Sequence, residues 1–479
     1  MSSSATKRPI RRARLALLAA AVLLPLIAWF GLQWRGATLR RAAIDRIAID
    51  HQALLPAFLP SPPRTDRKHP DEWLLRVART RPAWDLSDLS DPPKYARFLE
   101  DARANRLGEE ARVAFEDFEV KFRPYLEAGP DQDQRWNEFW VGLAVRFRDC
   151  DGTSDWGDAT QAAVRLLAVG LADCLRVARL AHEYAPIDPV SSAAALERTN
   201  ESFPKLPFVE EARLGDAIHV TAIHKAQSRY TVEALEALRT GLELARIHSP
   251  SHWLLSEMMW SLQMMRVLDG LQTILPMLPR GIDLAGLENE LTAARPRESM
   301  ANAIRGERAF GNRVLELMRR GDVPRDGEIY APSNLLSRLH RALVEDFDQA
   351  CYLDTLTDLA LRAEKSPYLR PAAADGVPDT FWTPTASIVA PSLGPSLHST
   401  DLLEARLALA RVALTAYRKD AKEALTFLAT TFDPFDGRQL RCAFGDDGLI
   451  VFWSVGPDGK DDAAARESDD IVWGLKLSE

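Results

Sequence analysis

The sequence predicts a mainly α-helical protein: one N-terminal transmembrane helix, a helical body, and a small C-terminal three-stranded antiparallel β module packed on a helix. Three observations carry this. An 18-residue run without a charge, residues 15–32, follows a cluster of five basic residues. From about Tyr95, apolar residues recur at three- and four-residue steps between proline and glycine breaks. The last 48 residues carry Asp-Gly turn signals around a run of β-branched and aromatic residues instead.

Residues 1–14 form a basic tail containing Lys7, Arg8, Arg11, Arg12 and Arg14. Residues 15–34 are just long enough to span a hydrocarbon core, with Trp29 and Trp34 at the far end where an aromatic belt forms. Basic charge ahead of the run holds the N-terminus in the cytoplasm. The body is therefore expected outside the inner membrane, on a single-pass anchor. A cleaved signal peptide needs a small-x-small site, and Gly31-Leu32-Gln33-Trp34-Arg35 does not supply one. The segment reads as a retained signal-anchor.

Residues 35–94 open as a helical continuation and turn proline-rich, which reads as a spacer with short helices. Residues 95–365 form the helical body. Its stripes include Val164, Leu167, Leu171, Cys174 and Ala178, and Leu235, Leu238, Leu242 and Ala245. Breaks fall at Gly129-Pro130, Asp151-Gly152, Pro186, Pro250, Pro276 to Pro279, Pro296 and Gly321 to Pro324. Serial helices on short loops suit an α-solenoid or an irregular bundle. The stretch 222–246 resembles one helical-repeat unit of the tetratricopeptide kind, but no fixed period follows it. Residues 253–271, with four methionines and two tryptophans, read as a buried central helix.

Residues 366–398 are proline-rich and read as a long loop. A helix is expected from Thr400 or Asp401 to about Thr430, with Asp401 and Glu404 as a capping box. In the module, Asp433 to Gly437 is a turn. Strands follow at 440–444, 449–455 and 471–477, joined by the Asp447-Gly448 hairpin and the Pro457-Asp458-Gly459 turn.

Net charge is −8, unevenly spread. Residues 1–41 hold eight basic residues and no acid; the other 52 basic residues face 68 acidic ones, a balance of −16. An acidic body argues against nucleic-acid binding, which needs a basic face. Cys150, Cys174, Cys351 and Cys442 show no metal-ligand spacing and read as scattered core thiols; if a bridge forms, Cys150 and Cys174 are the closest pair. His219 and His224 are five apart, and Pro250 separates His248 from His252, so neither pair predicts a metal site. Motifs of zinc hydrolases, serine hydrolases, Walker loops and dinucleotide-binding folds are absent.

A long helix followed by DPFDG, a hairpin, then Ser454-Val455-Gly456-Pro457-Asp458-Gly459 and Asp469-Asp470-Ile471 resembles the C-terminal region of type II secretion major pseudopilins. In that family the corresponding loop holds calcium. The resemblance implies Asp458, Asp469 and Asp470 as carboxylate ligands of Ca²⁺, with backbone carbonyls completing an oxygen shell. The chain departs from the family in lacking a Gly-Phe-Thr-Leu-x-Glu processing site before residue 15, so it does not read as a filament subunit. It is more similar to the large, anchored bacterial proteins, frequent in planctomycetes, that append such a module to a helical body. The expected function is a non-enzymatic interaction scaffold of the cell envelope, with envelope proteins as partners. The alternatives are an exported hydrolase with its site between helices and the 366–398 loop, and an accessory to a type II secretion-like system.

Overall fold

The computed structural model describes residues 32–46, 67–68, 70–127, 132–149, 156–184, 186, 207–248, 253–320, 335–370, 384–419, 421–445, 448–465 and 468–476. The basic tail and nearly all of the expected membrane helix lie outside the described residues, as does Cys150. Among the described residues no helix is long and apolar enough to cross a membrane. The chain is mainly helical, with one three-stranded antiparallel sheet near its C-terminus.

The first half begins with helix α1 (32–46), followed by α2 (Pro70–Arg79), α3 (Leu86–Ser90) and α4 (Pro92–Arg103). Short helices need caps, and α3 and α4 have them. Asp85 accepts from Ser87 N and Asp88 N while Asp88 reaches back to Asp85 N, and Asp91 caps α4 ahead of its prolines. Next come α5 (Glu109–Glu127), α6 (Gln132–Asp149), α7 (Asp158–Gly170) and α8 (Ala172–Ala178). Aromatic residues weld them: Tyr95 lies 4.7 Å from Trp136, Phe118 stacks on Phe122 at 5.0 Å, and Phe118 meets Trp140 at 5.5 Å. Trp73, Trp84 and Leu89 are buried in this same core, and Trp84 Nε1 donates to Leu166 O at 2.9 Å. Residues 70–94 are thus part of the body rather than a spacer. Their tryptophans and leucines outweigh the prolines, which sit at helix starts and turns.

The centre is a helical hairpin, α9 (Phe208–Gln227) and α10 (Thr231–Arg246), turned at Arg229 in left-handed conformation, with α11 (Leu254–Ile274) packed on both. Close approach depends on two glycines: a Cβ on Gly241 would lie 2.6 Å from Val267, and one on Gly270 would lie 2.7 Å from Leu238. α11 is the buried central helix expected, with Met259, Trp260, Met264, Val267 and Leu268 inside. Then follow α12 (Ala285–Ala293), α13 (Pro296–Arg320) and α14 (Leu335–Ala363). Of the expected breaks, Pro186 stands outside a helix and those at Pro276 to Pro279 and Pro296 fall at the end of α11 and the start of α13, while those at Gly129-Pro130, Asp151-Gly152, Pro250 and Gly321 to Pro324 lie outside the described residues.

α1 docks on α14. Arg46 binds both carboxylate oxygens of Asp354 at 2.7 and 2.8 Å, Arg40 pairs with Asp346 at 3.2 Å, and Ala43 enters a second core with Leu353, Leu356 and Met300. The chain leaving the expected anchor is therefore held by the body.

The expected 366–398 loop is corrected in its second half, because α15 runs from Pro384 to Arg418. Pro391 and Pro395 stand inside it, so the proline content misled. Asp401 and Glu404 are interior to this helix and form no capping box. Asp401 is instead buried in an ion pair with Arg370, and Glu404 pairs with Arg297. The expected helix to Thr430 is also divided, with α16 at Ala421–Leu428.

The sheet comprises β1 (Arg441–Phe444), β2 (Leu449–Ser454) and β3 (Ile471–Lys476), in the order β1-β2-β3. Phe452 is central, opposite Cys442 on one side and Trp473 on the other. Ile450, Phe452, Trp473 and Leu475 enter the main core, where β2 and β3 pack on α15.

Candidate functional site

A cleft of about 760 Å³ opens between the start of α3 and helices α6, α7, α9 and α11. That volume lies within the range of small-molecule sites. Its apolar wall comes from α6 and α7: Trp140, Val141, Ala144, Phe147 and Leu167. Its polar groups come chiefly from α9 and α11: Arg213, Asp216, His219 and Arg266, with Asp85, Ser87 and Ser90 from the start of α3. The spacing of α9 explains the convergence. Arg213, Asp216, His219 and Val220 step by three and four residues and share one face.

The acids and hydroxyls of the cleft are engaged. Arg266 pairs with Asp216 at 2.8 Å, and Arg213 stands 3.7 Å from Asp85. Asp85 caps α3 and accepts from Ser87 Oγ at 2.7 Å, while Ser90 Oγ donates to Ser87 O at 3.2 Å. No serine is therefore bonded to a histidine base. His219 is 3% exposed, its ring meets Phe147 edge-on at 5.6 Å, and its Nε2 has no hydrogen-bond partner. Burial pushes its pKa down to about 4, so the ring is neutral at pH 7. Trp140 Nε1 and Arg266 Nε are likewise buried without partners. From spacing alone His219 predicts no metal site and no other role. The α9 spacing was visible, but the partner helices that bury the ring were not.

A second polar pair lies deeper. His248 Nε2 bonds Glu211 Oε1 with both side chains almost fully enclosed, and Gln263 Nε2 donates to Glu211 O at 3.1 Å. Neither His248 nor Glu211 lines the cleft. The dyad ties the end of α10 to the first turn of α9.

The three aspartates of the C-terminal loop are placed as follows. Asp458 is paired with Lys460 Nζ at 2.9 Å and caps Lys460 N at 2.9 Å. Asp470 accepts from Ala464 N at 2.8 Å, while its Oδ1 is buried without a partner. Asp469 stands beside Gly456 through its backbone carbonyl. Among the described residues, no group of three or more His, Cys, Asp or Glu is arranged to hold a metal ion. Gly456 has φ of +65°, and a Cβ there would collide with the Asp469 carbonyl oxygen. Gly456→Ala should lower stability of the module by about 2 kcal/mol, through strain at positive φ and the displaced carbonyl. Faster amide exchange in β3 than in α11 would report it; unchanged exchange would show that the loop relaxes freely.

The expected core thiols include Cys174, a buried residue whose thiol is pushed up to about 11 by burial and which forms no bridge. Comparison with protein-family models, curated proteins and solved structures finds no match to this chain.

Proposed function

We propose that the chain is a membrane-anchored, extracytoplasmic binding protein of the cell envelope. Its irregular helical bundle serves as an interaction scaffold and its β module as a cap. The observation that carries this reading is the cleft: it is of ligand size, yet its serines and carboxylates are spent on caps and ion pairs rather than aligned for chemistry. The docking of α1 on α14 supports the anchor, since a tether seated on the body holds it near the bilayer. One continuous core shared by the first-half helices, α9 to α12, α15 and the sheet favours a bundle over an open solenoid.

In a bacterial host, the full chain should stay with the inner membrane through alkaline carbonate washing, and protease added to spheroplasts should digest its body. Release into the wash, or protection of the body, would overturn the reading. Detergent extraction and affinity purification, with and without calcium, then test the scaffold and the loop together. A defined envelope partner lost on chelation would implicate Asp458, Asp469 and Asp470. Recovery of a secretion complex would favour the accessory alternative.

The second reading, an exported hydrolase, is favoured by one observation: a neutral, buried His219 at the cleft with an unused Nε2. Turnover by the purified chain that His219→Gln abolishes, with folding intact, would replace binding by catalysis.

A further inference from the structure

Between α2 and α8, both packed on α9, runs a second groove of about 640 Å³. Four arginines line it: Arg76 and Arg79 from the last turn of α2, Arg81 from the turn that follows, and Arg176 from α8. All four side chains are exposed. Arg76, Arg79 and Arg176 each sit in a last turn, where a cation complements the helix dipole. That role needs no shared groove, and it leaves Arg81 out.

The cations outnumber their acids. Arg81 Nη1 donates to Ala78 O at 2.9 Å and Thr80 O at 2.8 Å and stands 3.2 Å from Glu210, so the turn holds its head in place. Arg176 pairs with Asp173 at 3.2 Å. Arg76 and Arg79 form no ion pair among the described residues. Arg76 also faces Glu183, which Lys68 already neutralises. Glu72 is the remaining acid of the groove. Setting Glu72, Asp173 and Glu210 against the four arginines leaves one positive charge in surplus, in a body that is acidic overall. The arginines of the two existing pairs are solvent-exposed, and such surface pairs are weak enough for a ligand anion to exchange with them.

Guanidinium forks take the oxygens of a phosphate two at a time. Four forks around one groove suit a tetrahedral anion, whose oxygens point in several directions, better than a planar carboxylate. Leu75 and Val177 also line the groove, which has room for the organic part of an ester.

We propose that this groove binds the phosphate group of an organic phosphate ester. The inference goes beyond the scaffold reading. It rests on the groove between α2 and α8 alone, so failure of the membrane anchor or of the larger cleft would leave it standing.

The test uses the full chain in dodecyl maltoside, a detergent without phosphate. Calorimetry follows titration with glycerol 3-phosphate, glycerophosphoglycerol, glycerate and glycerol. The better of the two phosphates should bind saturably and at least about tenfold tighter than glycerate, or about 1.4 kcal/mol. Glycerol should not bind. Arg79 is exposed and unpaired, so Arg79→Glu should fold normally and weaken the phosphate by at least about tenfold. Arg79→Lys keeps the charge but loses the fork, and should weaken it by about threefold. Lys422→Glu makes the same charge reversal at an exposed position of α16 outside the groove, and should leave affinity within about twofold. Tighter binding of glycerophosphoglycerol, a lipid headgroup without its acyl chains, would assign the groove to a phospholipid. Tighter binding of glycerol 3-phosphate would assign it to a soluble phosphomonoester. Glycerate binding as tightly as either phosphate would overturn the proposal in favour of a general anion site. Equal weakening by Arg79→Glu and Lys422→Glu would overturn it as an effect of net charge. Absence of saturable binding by both phosphates would remove the groove as a site.

Discussion

Asp433→Ala should detach the β module from the helical body while leaving the body folded. Asp433 is fully buried and every acceptor position is used. Oδ1 accepts from Phe435 N and Ser454 Oγ, both at 2.9 Å, and Oδ2 from Val455 N and Arg441 Nη1, both at 2.9 Å. Arg441 continues the network to Asp436 and, at 3.4 Å, to Asp461, whose carboxylate accepts from Trp453 Nε1 at 3.0 Å. One carboxylate thus joins the turn after α16, the start of β1 and the end of β2. Removing it strands three buried backbone or hydroxyl donors and part of a buried guanidinium. Breaking one side of a buried charge pair costs about 3–5 kcal/mol. Asp433→Asn should cost less, about 2–3 kcal/mol, because one oxygen still accepts. The effect is local, so the measurement is hydrogen exchange by segment. Amides of 441–454 and 471–476 should lose protection while those of α9 to α11 keep theirs. Uniform loss across the chain would show that module and body unfold as one unit.

Glu257 should make the protein less stable as pH rises. It lies in the first turn of α11 at 0% exposure, with Ser299 Oγ donating to Oε2 and Oε1 without a partner. No cation offsets its burial, and its pKa is pushed up to about 8. An unfolded glutamate titrates near about 4.3. Below that pH both states hold the proton and no penalty exists. Between there and pH 8 the unfolded chain ionises while the folded one does not, so stability falls by up to about 1.4 kcal/mol per pH unit. Above pH 8 the loss levels off. Glu257→Gln removes this dependence. It should match the wild type near pH 4 and exceed it by about 3–5 kcal/mol at pH 8.5. His219 and His224, both held near pKa 4 by burial, act in the opposite sense and lower stability as pH falls below about 6.5. They are common to both proteins, so the difference between two urea-denaturation series isolates Glu257. Parallel pH profiles would mean that the carboxyl is hydrated in the folded state.

The elements that could be read in advance are those whose signal is local. The strand at Leu449–Ser454 was legible because β-branched and aromatic residues stand between Asp-Gly and Pro-Asp-Gly turns, and the one at Ile471–Lys476 because a β-branched and aromatic run follows an acidic stretch. α11 was legible because apolar residues cover more than one of its faces. The misread elements are those where neighbours overrule composition. Pro384 to Pro395 reads as loop, but α15 builds a helix through them. From Leu393 onward, apolar residues including Leu393, Leu397 and Leu403 are buried among other helices. Asp401 has the spacing of a cap, yet Arg370, 31 residues earlier, takes it as a buried partner.

The cleft was invisible for the same reason. Arg213, Asp216 and His219 form a face on one helix, but nothing local indicates that Trp140 and Arg266 arrive opposite it. Nor could local pattern distinguish Asp433, which closes a buried network, from Asp436 a turn later. By itself the sequence determined the helical class, the breaks at Pro276 to Pro279 and Pro296, the basic-then-apolar N-terminus and the three-stranded end. Each follows from propensity, turn chemistry and periodicity within a few residues. Tertiary structure alone decided which polar side chains are buried, which find partners and which donors remain unspent, because desolvation and pairing depend on residues far apart in the chain.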